Sequence, residues 1–450
     1  FAMSGLYESL FRGALFPLYE SGLRRRDTLG YLREYERSQW LDAEGLEALQ
    51  WRKLQDLLRH CWENVPFYRR QWQELGLAGP GDIRGFDDYA RLPVLDKPTI
   101  RANFEQLIAD DRREGLLYKT TGGSTGEPLR FGYTRESYER RLAIMWRGYG
   151  WSGARLGQRT LYLWGLSPGK QKRKDRLYHA AFNRHMLNAF EMSEARMAEY
   201  ADALDRFRPE TIVSYVAPAV KLSEWLLANR RKPWRPQRVL AAAETLHESQ
   251  RELIERAFGC PAYNTYGCRE FMLIAAECEH RQGLHVNADH LRMELGGAVG
   301  SDGHGPRDVV VTDLHNYGMP LLRYANGDLA TPGTAARCGC GRALPLLASV
   351  DGRRLDALRT PDGRYVPGEY VVYAFLRATG IRRYQVVQKR LDAFDITLVR
   401  DHDFDESVVE LVRGELVKVV GGEVALNFHY ADDLPLTATG KQRVTISELP

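Results

Sequence analysis

The sequence predicts an α/β protein with a large N-terminal domain of βαβ-wound sheets, a β-rich subdomain, and a small C-terminal α+β domain. Three observations support this. Short apolar strands alternate with helical stretches through the middle of the chain, the pattern of βαβ units and a parallel sheet. From about Gly283 hairpin-like strands replace this alternation. After "VDGRR" the order becomes β-β-α-β, so we expect an N-terminal domain over residues 1–353 and a C-terminal domain over 354–450.

The helices and strands are predicted from the spacing of apolar residues and from the residues that interrupt it. Leucines at helical spacing around "GLEALQWRKLQDLLRH" predict that the first hundred residues are helical, with an interruption at Pro66. The next predicted helices are RESYERRLAIMWRGYGW, SEARMAEYADALDRF, AVKLSEWLLAN and HESQRELIERAFG. The predicted strands between them are RTLYLWG, TIVSYV, RVLAAAE and AYNTYG. The β-rich region contains LHVNADHLRMEL and DVVVTDL. The C-terminal strands are RRYQVVQKR, AFDITLVR and EVALNFHY, with the helix FDESVVELVRGELVKVV.

The amino-acid composition narrows the classes of function that this protein can have. The 450 residues are 44% hydrophobic and carry a net charge of +4 with mixed signs, which gives no support for a nucleic-acid partner. The basic run KQKRKDR, residues 170–176, is predicted to be a solvated loop. No apolar stretch approaches the roughly 20 residues of a membrane span, and the N-terminal residues carry no signal-peptide pattern. Six scattered cysteines do not form a disulfide framework, so we expect a cytoplasmic protein.

The turn in "LLYKTTGGSTGEPLRF" is rich in glycine and hydroxyl residues, a composition typical of phosphate binding. It is not a Walker A loop, because Glu127 and Pro128 follow Gly126 where Lys and Ser or Thr are required. It is not a dinucleotide fingerprint, since no G-x-G-x-x-G opens a helix here. Taken alone, the turn is equally compatible with an ordinary hairpin connection.

Four further motifs follow in a particular order: TYGCREF, LLRYANGDLA, VDGRRLDAL and LPLTATGKQRV. With the glycine-rich turn, they make the sequence resemble the adenylate-forming superfamily of acyl- and aryl-CoA ligases. The resemblance is to the branch of phenylacetate-CoA ligase and the capsule-biosynthesis-associated ligase-like proteins, and it runs from about residue 50 to the C-terminus. Each motif alone is weak evidence for the family, and the resemblance rests on all five occurring together in this order.

The resemblance implies an enzyme that activates an aryl or acyl carboxylic acid with ATP. An acyl-adenylate and pyrophosphate would form first, and the acyl group would then pass to a thiol, with CoA as the expected acceptor. Transfer to an acyl-carrier protein or to an amine remains an alternative, as does a non-catalytic nucleotide-binding relative. Developing charge on the phosphoryl oxygens explains why such a site gathers donors and cations.

The nucleotide site is also implied by the resemblance. The turn would wrap the β- and γ-phosphates through Thr121, Gly122, Gly123, Ser124, Thr125 and Gly126. Gly122 replaces a Ser that many relatives carry, which removes one hydroxyl. The adenine face would be lined by Ala243, Glu244 and Thr245, with Ala242 where relatives usually have Gly.

The remaining nucleotide contacts come from three later motifs. Tyr266 would flank the adenine or the acyl pocket. Asp328 would accept both ribose hydroxyls, although Asn-Gly-Asp also favours a simple turn. Arg353 would reach the same ribose.

Two residues are expected to carry the chemistry. Glu270 would hold Mg²⁺, which prefers a carboxylate together with phosphate oxygens. Its neighbour Arg269 replaces the small Ser or Thr of most relatives. Lys441, in TATGKQRV on the C-terminal domain, would deliver an ammonium to the reacting carboxylate and α-phosphate. The resemblance also implies that the C-terminal domain is mobile and rotates before thiol transfer. Leu355 occupies the hinge position where relatives carry Asp or Lys.

The acid pocket is expected around YLWG, SYVAPA and AAAE. Its candidate walls are Trp164, Tyr215, Ala217 and Pro218, which are equally consistent with ordinary core. Nothing in the sequence specifies the acid or the oligomeric state.

A zinc site is predicted in the β-rich region. Cys338 and Cys340 form a Cys-x-Cys pair, and Cys278 and His285 lie upstream in a Cys/His-rich segment. Three thiols and an imidazole would make a closed, structural tetrahedral site. The phenylacetate-ligase branch has similar clusters, which strengthens the prediction. His280 is the alternative to His285 as fourth ligand.

Overall fold

The computed structural model describes most of the chain. The described residues are 2–121, 129–165, 173–189, 191–298, 306–334, 337–353, 358–361, 365–366, 371, 374–375, 378–421, 424–435 and 444–449. Within these ranges no helix is both long enough and apolar enough to cross a bilayer.

Helices dominate the first hundred residues, as the leucine spacing predicts. They are α1 (Ala2–Leu10), α2 (Thr28–Ser38), α3 (Ala43–Asn64), α4 (Pro66–Glu74), α5 (Phe86–Tyr89) and α6 (Lys97–Ala102), and the helical stretches Phe11–Leu15 and Leu18–Leu23 follow α1. The Asp42 side chain accepts a hydrogen bond from the Gly45 N–H at 2.8 Å and so starts α3. That helix ends before Pro66, which has no N–H to donate and becomes the first residue of α4.

A small hairpin carries the glycine-rich turn. Strands β1 (Leu117–Thr120) and β2 (Arg130–Tyr133) pair antiparallel, with Thr120 opposite Arg130. The turn between them, residues 122–128, lies outside the described residues.

The central sheet joins a parallel half to an antiparallel half. The parallel strands are β3 (Thr160–Trp164), β4 (Arg184–Asn188), β5 (Thr211–Tyr215), β6 (Arg238–Ala242) and β7 (Ala262–Tyr266). The antiparallel strands are β8 (Ala275–Glu277), β9 (Leu284–Val286), β10 (Leu291–Ala298), β11 (Arg307–Asp313), β12 (Tyr324–Pro332) and β13 (Leu346–Arg353). The strand order is β10-β11-β12-β13-β9-β8-β7-β6-β5-β3-β4. Strand β7 lies at the junction, because it runs parallel to β6 and antiparallel to β8.

Helix α7 (Arg135–Trp151) leads from the hairpin to the central sheet, and four helices connect the parallel strands. They are α8 (Arg173–Ala181), α9 (Glu194–Phe207), α10 (Val216–Ala228) and α11 (Glu248–Phe258). One core cluster unites Leu204 of α9 and Leu226 of α10 with Val239 of the sheet. This packing confirms the predicted βαβ organisation.

The C-terminal region forms a sheet of its own. Strands β14 (Leu358–Arg359) and β15 (Tyr365–Val366) pair with each other. A four-stranded sheet follows, made of β16 (Ile381–Arg390), β17 (Ala393–Arg400), β18 (Ala425–Tyr430) and β19 (Thr445–Ser447) in the order β18-β17-β16-β19, with helix α12 (Ser407–Val420). Its core cluster includes Phe394, Ile396, Val412 and Leu416. The predicted small α+β domain is therefore present.

Two sequence predictions need correction. The basic run was predicted to be a loop, but from Arg173 onward it begins helix α8, because Lys and Arg are good helix formers and Phe182 just beyond the helix is buried. The segment LHVNADHLRMEL is two strands, β9 and β10. The chain turns between them, where the His290 N–H donates to the Asn287 carbonyl at 2.9 Å.

Candidate nucleotide and acid site

Four parallel strands end at one edge of the central sheet. Their last residues are Trp164 on β3, Tyr215 on β5, Ala242 on β6 and Tyr266 on β7. In open α/β sheets, ligands bind in the crevice outside the carboxyl ends of the strands. This edge therefore gathers the predicted acid pocket, the adenine segment and the TYGCREF motif, although they are far apart in sequence.

Asp328 lies in a buried hydrogen-bonded group. Its Oδ2 accepts from the Tyr266 hydroxyl at 2.8 Å and from Asn326 Nδ2 at 2.7 Å. Asn326 Nδ2 also donates to the Tyr266 hydroxyl oxygen at 2.8 Å, and Asn326 Oδ1 accepts from the Asp328 N–H at 3.0 Å. Burial raises the pKa of Tyr266 well above its usual value, and the neighbouring Asp328 raises it further. Tyr266 therefore remains a neutral donor that orients the Asp328 side chain.

The NGD motif is part of a strand, and the simple turn that its composition also favoured is not formed. Residues 324–332 form β12, and its register against β11 and β13 shifts around Gly327 and Asp328. Gly327 has a φ of 87°, which L side chains rarely adopt, so glycine permits this irregularity. Asp328 faces Arg353 across the β12–β13 ladder, which puts the backbones of the two predicted ribose residues side by side.

Glu270 lies in a second buried group close by. The Tyr324 hydroxyl donates to Glu270 Oε1 at 2.9 Å, and both side chains are buried. Burial raises the pKa of Tyr324, and the charge of Glu270 raises it further. The pKa of the Cys268 thiol is raised first by burial and then by Glu270 and Asp328. The two carboxyl groups therefore share one low-dielectric environment.

The base of the glycine-rich turn is tied to the same edge. Arg269 donates from its guanidinium to the Thr120 carbonyl oxygen at 2.8 Å. The Thr121 N–H donates to the Leu129 carbonyl, and Thr121 Oγ1 accepts from the Leu129 N–H, both at 2.9 Å. Accepting this bond leaves the hydroxyl hydrogen of Thr121 available as a donor. The predicted phosphate residues Gly122, Gly123, Ser124, Thr125 and Gly126 lie outside the described residues.

The predicted acid-pocket and adenine residues also meet at this edge. The rings of Trp164 and Tyr215 lie 4.2 Å apart at 46°, and burial raises the pKa of Tyr215. Glu244 Oε2 accepts from the Ala217 N–H at 2.6 Å, so its carboxylate binds an N–H in the first turn of α10. Pro218 lies in the same turn, and Thr245 follows Glu244 in the loop after β6. Ala243 has a φ of 66°, where relatives usually have the Ala of Gly-Ala-Glu.

Four ligand-type side chains meet in the β-rich region. The ligand atoms of Cys278, His285, Cys338 and Cys340 all lie within 4.8 Å of one another. Cys278 Sγ is 3.6 Å from Cys338 Sγ, and Cys340 Sγ is 3.3 Å from His285 Nε2. His280 is exposed and outside the group, whereas His285 is buried on β9.

The protonation of this cluster follows from its surroundings. Burial raises the pKa of Cys278 to about 12 and lowers that of His285 to about 4, so the imidazole is neutral. Burial also raises the pKa of Cys340, but hydrogen bonds from Arg342 outweigh it and hold that pKa below its usual value. Metals bind the neutral imidazole and the thiolate, so the protein surroundings favour the metal-binding forms of His285 and Cys340 and oppose that of Cys278.

Lys441 and the hinge residue Leu355 lie outside the described residues. The chain on either side of the TATGKQRV loop is anchored to the C-terminal sheet. Before it, Arg383 pairs with Asp433 at 2.9 Å. After it, the Val386 N–H donates to the Val444 carbonyl at 2.8 Å, and β19 follows.

Sequence reasoning missed two residues of the site. The NGD pattern predicts only a turn at Asn326, and nothing in the sequence analysis predicts a role for Tyr324. Their position within the motif LLRYANGDLA was the only available signal, since the bonds to Tyr266 and Glu270 join segments about sixty residues apart.

Comparison with known proteins finds relatives that cover most of the chain. Residues 358–448 match the family of CapK C-terminal domains. The chain is 29% identical over 399 residues to phenylacetate-coenzyme A ligase of Thermus thermophilus, covering 84% of this chain and 87% of that protein. It is 24% identical over 433 residues to protein CapK of Staphylococcus aureus, covering 95% of this chain and 94% of that one.

Over most of its length the chain is therefore similar to phenylacetate-coenzyme A ligases and to protein CapK. The fold was compared with solved structures as well. A crystal structure of 2-hydroxyisobutyryl-CoA ligase in the postadenylation state with 2-HIB-AMP matches with a TM-score of 0.69 at 19% identity, covering 91% of this chain and 90% of that one. The likeness in fold thus extends over both the large sheet and the C-terminal unit.

Proposed function

We propose that this chain activates a carboxylic acid with ATP and then transfers the acyl group to the thiol of CoA. The observation that carries the proposal is the buried group of Tyr266, Asn326 and Asp328 beside Glu270 at the carboxyl edge of the sheet. A buried carboxyl group that is oriented by two donors is suited to accept hydroxyl hydrogens from a ribose. The names of the phenylacetate-CoA ligase relatives support CoA as acceptor and an aromatic acid as substrate.

The proposed reaction has two balanced steps. A carboxylate oxygen of the acid attacks the α-phosphorus of ATP, the bond to the β-phosphate oxygen breaks, and pyrophosphate leaves. The CoA sulfur then attacks the acyl carbon, the bond to the AMP oxygen breaks, and AMP leaves with the thiol proton passing to solvent. A cytoplasmic location is consistent with the need for ATP and CoA.

Each proposed role rests on position. Asp328, with Arg353 opposite, would bind the ribose, and residues 243–245 would line the adenine. The glycine-rich turn from Thr121 onward would bind the β- and γ-phosphates. Lys441 would contact the reacting carboxylate and the α-phosphate, from a C-terminal domain that we place at residues 354–450, and Leu355 would lie at its hinge.

Glu270 fits a magnesium ligand, because a buried carboxylate next to a phosphate-binding turn offers the oxygen that this hard cation prefers. The ion, when bound, would neutralise charge on the phosphate oxygens. The Tyr324 hydroxyl holds Glu270 Oε1 at 2.9 Å and so fixes the orientation of that carboxylate.

We further propose that the Cys/His cluster holds structural zinc. With Zn–S bonds of about 2.3 Å, a tetrahedral site has ligand-to-ligand distances of roughly 3.5–3.8 Å. The distances of 3.6 Å between Cys278 and Cys338 and 3.3 Å between Cys340 and His285 are close to these. Four protein ligands leave no open position, so such a metal would tie β9 to the loop before β13 and would activate no water.

The test is a screen of carboxylic acids for acid-dependent pyrophosphate release from ATP, followed by assays with CoA, an acyl-carrier protein or an amine. We expect one acid class to stimulate pyrophosphate release and CoA to yield a thioester. Glu270→Gln should abolish release, whereas Glu252→Gln, on the exposed face of α11, should leave it unchanged. Amide formation without thioester would assign the alternative acceptor, and no release with any acid would favour a non-catalytic nucleotide-binding protein.

A further inference from the structure

The first helical segment is apolar on its outer face as well as on its inner face, where Phe11 and Phe16 are buried. Leu6, Leu18 and Leu23 are 74%, 70% and 75% exposed, and Leu10 and Leu15 are exposed as well. A surface helix of a soluble protein normally turns its apolar stripe toward the core and its charges toward water. Here large apolar side chains point outward along several turns of helix.

The acidic residues of the same segment point inward. Glu8 and Glu20 are both buried. Glu8 pairs with Arg12 at 2.9 Å, and Glu20 accepts from the Thr28 hydroxyl at 3.1 Å. Every exposed residue from Leu6 to Leu23 is therefore Leu, Ala, Gly or Ser, and none carries a charge.

The neighbouring helix α8 extends this surface. The Tyr7 hydroxyl donates to the Ala181 carbonyl at 2.7 Å, and the rings of Tyr19 and Tyr178 lie 6.2 Å apart. Leu177 of α8 is 70% exposed. The leucines of the two helices thus belong to adjoining parts of one face.

Cations border this face. Arg24 and Arg25 are exposed directly after Leu23, and the Arg24 guanidinium lies 5.4 Å from the Tyr19 ring centre. Arg155, whose side chain is 60% exposed, adds a cation beside the first helix, because its Nε lies 3.4 Å from Glu8 Oε1. Asp27 is the exposed acid that follows the two arginines in the chain, so the described part of this border is basic.

We propose that this face docks the protein on the surface of a bilayer that contains anionic lipids, with the leucines among the acyl chains and the cations at the phosphates. Uncharged apolar residues flanked by Lys and Arg are the pattern of helices that lie in the membrane interface. A second copy of the chain is a poorer occupant, because a two-fold contact through this face would bring two basic borders together. The docking is independent of the adenylation activity.

The full-length protein should float with vesicles of phosphatidylcholine and phosphatidylglycerol, and much less with vesicles of phosphatidylcholine alone. High salt should weaken binding to the anionic vesicles. Leu18→Ser/Leu23→Ser should lower the vesicle partition coefficient by about tenfold or more, since it removes the apolar area that inserts. The matched variant Leu75→Ser/Leu391→Ser changes two exposed leucines elsewhere and should bind like wild type.

Two charge-reversal variants measure how much the cations contribute to vesicle binding, apart from the leucines. Arg24→Glu/Arg25→Glu should reduce binding to anionic vesicles strongly, and Arg230→Glu/Lys232→Glu on another surface should change it much less. Near-ultraviolet circular dichroism should confirm that each variant is folded. The proposal is overturned if wild type does not float with anionic vesicles. It is equally overturned if sedimentation shows a dimer that Leu18→Ser/Leu23→Ser dissociates, since the face would then be covered by a second copy.

Discussion

Replacing Asp328 by Asn isolates the proposed ribose contact without removing volume. Asp328 Oδ2 accepts from both Tyr266 and Asn326, so one oxygen of the side chain is oriented by protein donors. In the variant the amide must keep its oxygen toward these donors, since an NH₂ group there would face two other donors. The amide nitrogen then takes the place of the second oxygen, and it cannot accept a ribose hydroxyl.

The expected loss of ATP affinity follows from the hydrogen bonds that the substitution removes. Each hydrogen bond to a charged acceptor is worth about 1.5–3 kcal/mol, so two ribose hydroxyls account for about 3–6 kcal/mol. The dissociation constant for ATP should rise on the order of 10²- to 10⁴-fold, since about 1.4 kcal/mol is tenfold. Asp328→Ala should weaken ATP binding as well, and it should also destabilise the fold by leaving the Tyr266 and Asn326 donors without their shared acceptor. Tyr266→Phe, which loses one orienting bond, should have the smallest effect.

Isothermal titration with ATP and with AMP measures these constants, and thermal unfolding without nucleotide measures the structural cost. Asp202→Asn is a suitable control, because Asp202 is an exposed residue of helix α9 and lies outside the buried hydrogen-bonded group of Asp328. An ATP affinity of Asp328→Asn within about threefold of wild type, a difference of only ~0.7 kcal/mol, would refute the ribose role.

Three further predictions concern catalysis, metal and pH. Lys441→Ala should lower the adenylation rate by orders of magnitude and change ATP affinity little, because the ammonium acts on the transition state. Initial rates measure the first effect, and calorimetric titration with ATP measures the second. Cys338→Ser/Cys340→Ser should remove about one zinc per chain by elemental analysis and lower the melting temperature, because the metal closes a long loop. Burial lowers the pKa of His290 to about 3 and that of His315 well below its usual value, so the folded state keeps both neutral while the unfolded state protonates near pH 6.5. Stability should therefore fall as the pH drops from about 6.5 toward 3, by up to ~1.4 kcal/mol per pH unit for each histidine, as urea unfolding can measure.

Each of these three predictions would be contradicted by a particular result. Equal turnover with the cognate acid in Lys441→Ala would reject its role. Zinc absent from wild-type protein prepared without chelators would reject the metal site, and Cys260→Ser, outside the cluster, should retain the metal. A His402→Gln variant removes an exposed histidine and should not alter the acid slope, whereas His315→Asn should reduce it by about one proton. An unchanged slope in His315→Asn would contradict the burial argument.

The strands of the parallel sheet could be predicted because each is a short apolar run between breakers. Strand β4, RHMLN, was not predicted, since His185 and Arg184 interrupt its apolar pattern. Helix α8 was not predicted either, because its charged residues are typical of a loop, whereas the Tyr178 ring and the Ala181 carbonyl contact the first helical segment, which is distant in sequence. Local pattern identified the elements whose burial is regular and missed those that depend on distant partners.

The residues of the candidate site also fall into those that local sequence pattern predicts and those that it does not. Motif order located Asp328, Glu270 and the thiols of the cluster, because each motif is contiguous in sequence. The donors that orient Asp328 and Glu270 could not be predicted, since Tyr266 and Tyr324 reach them only after β7 and β12 are folded. Spacing alone also left two histidines as fourth metal ligand, and only the burial of β9 separates them.

Oxygen-18 transfer tests the central claim most directly. The cognate acid, labelled with oxygen-18 in its carboxylate, is incubated with ATP, CoA and the enzyme, and the nucleotide product is analysed by mass spectrometry. If the carboxylate oxygen attacks the α-phosphorus, that oxygen stays with the nucleotide after acyl transfer, so AMP should carry one heavy oxygen for each thioester formed. ADP as the product, or AMP without the label, would contradict activation through an acyl-adenylate.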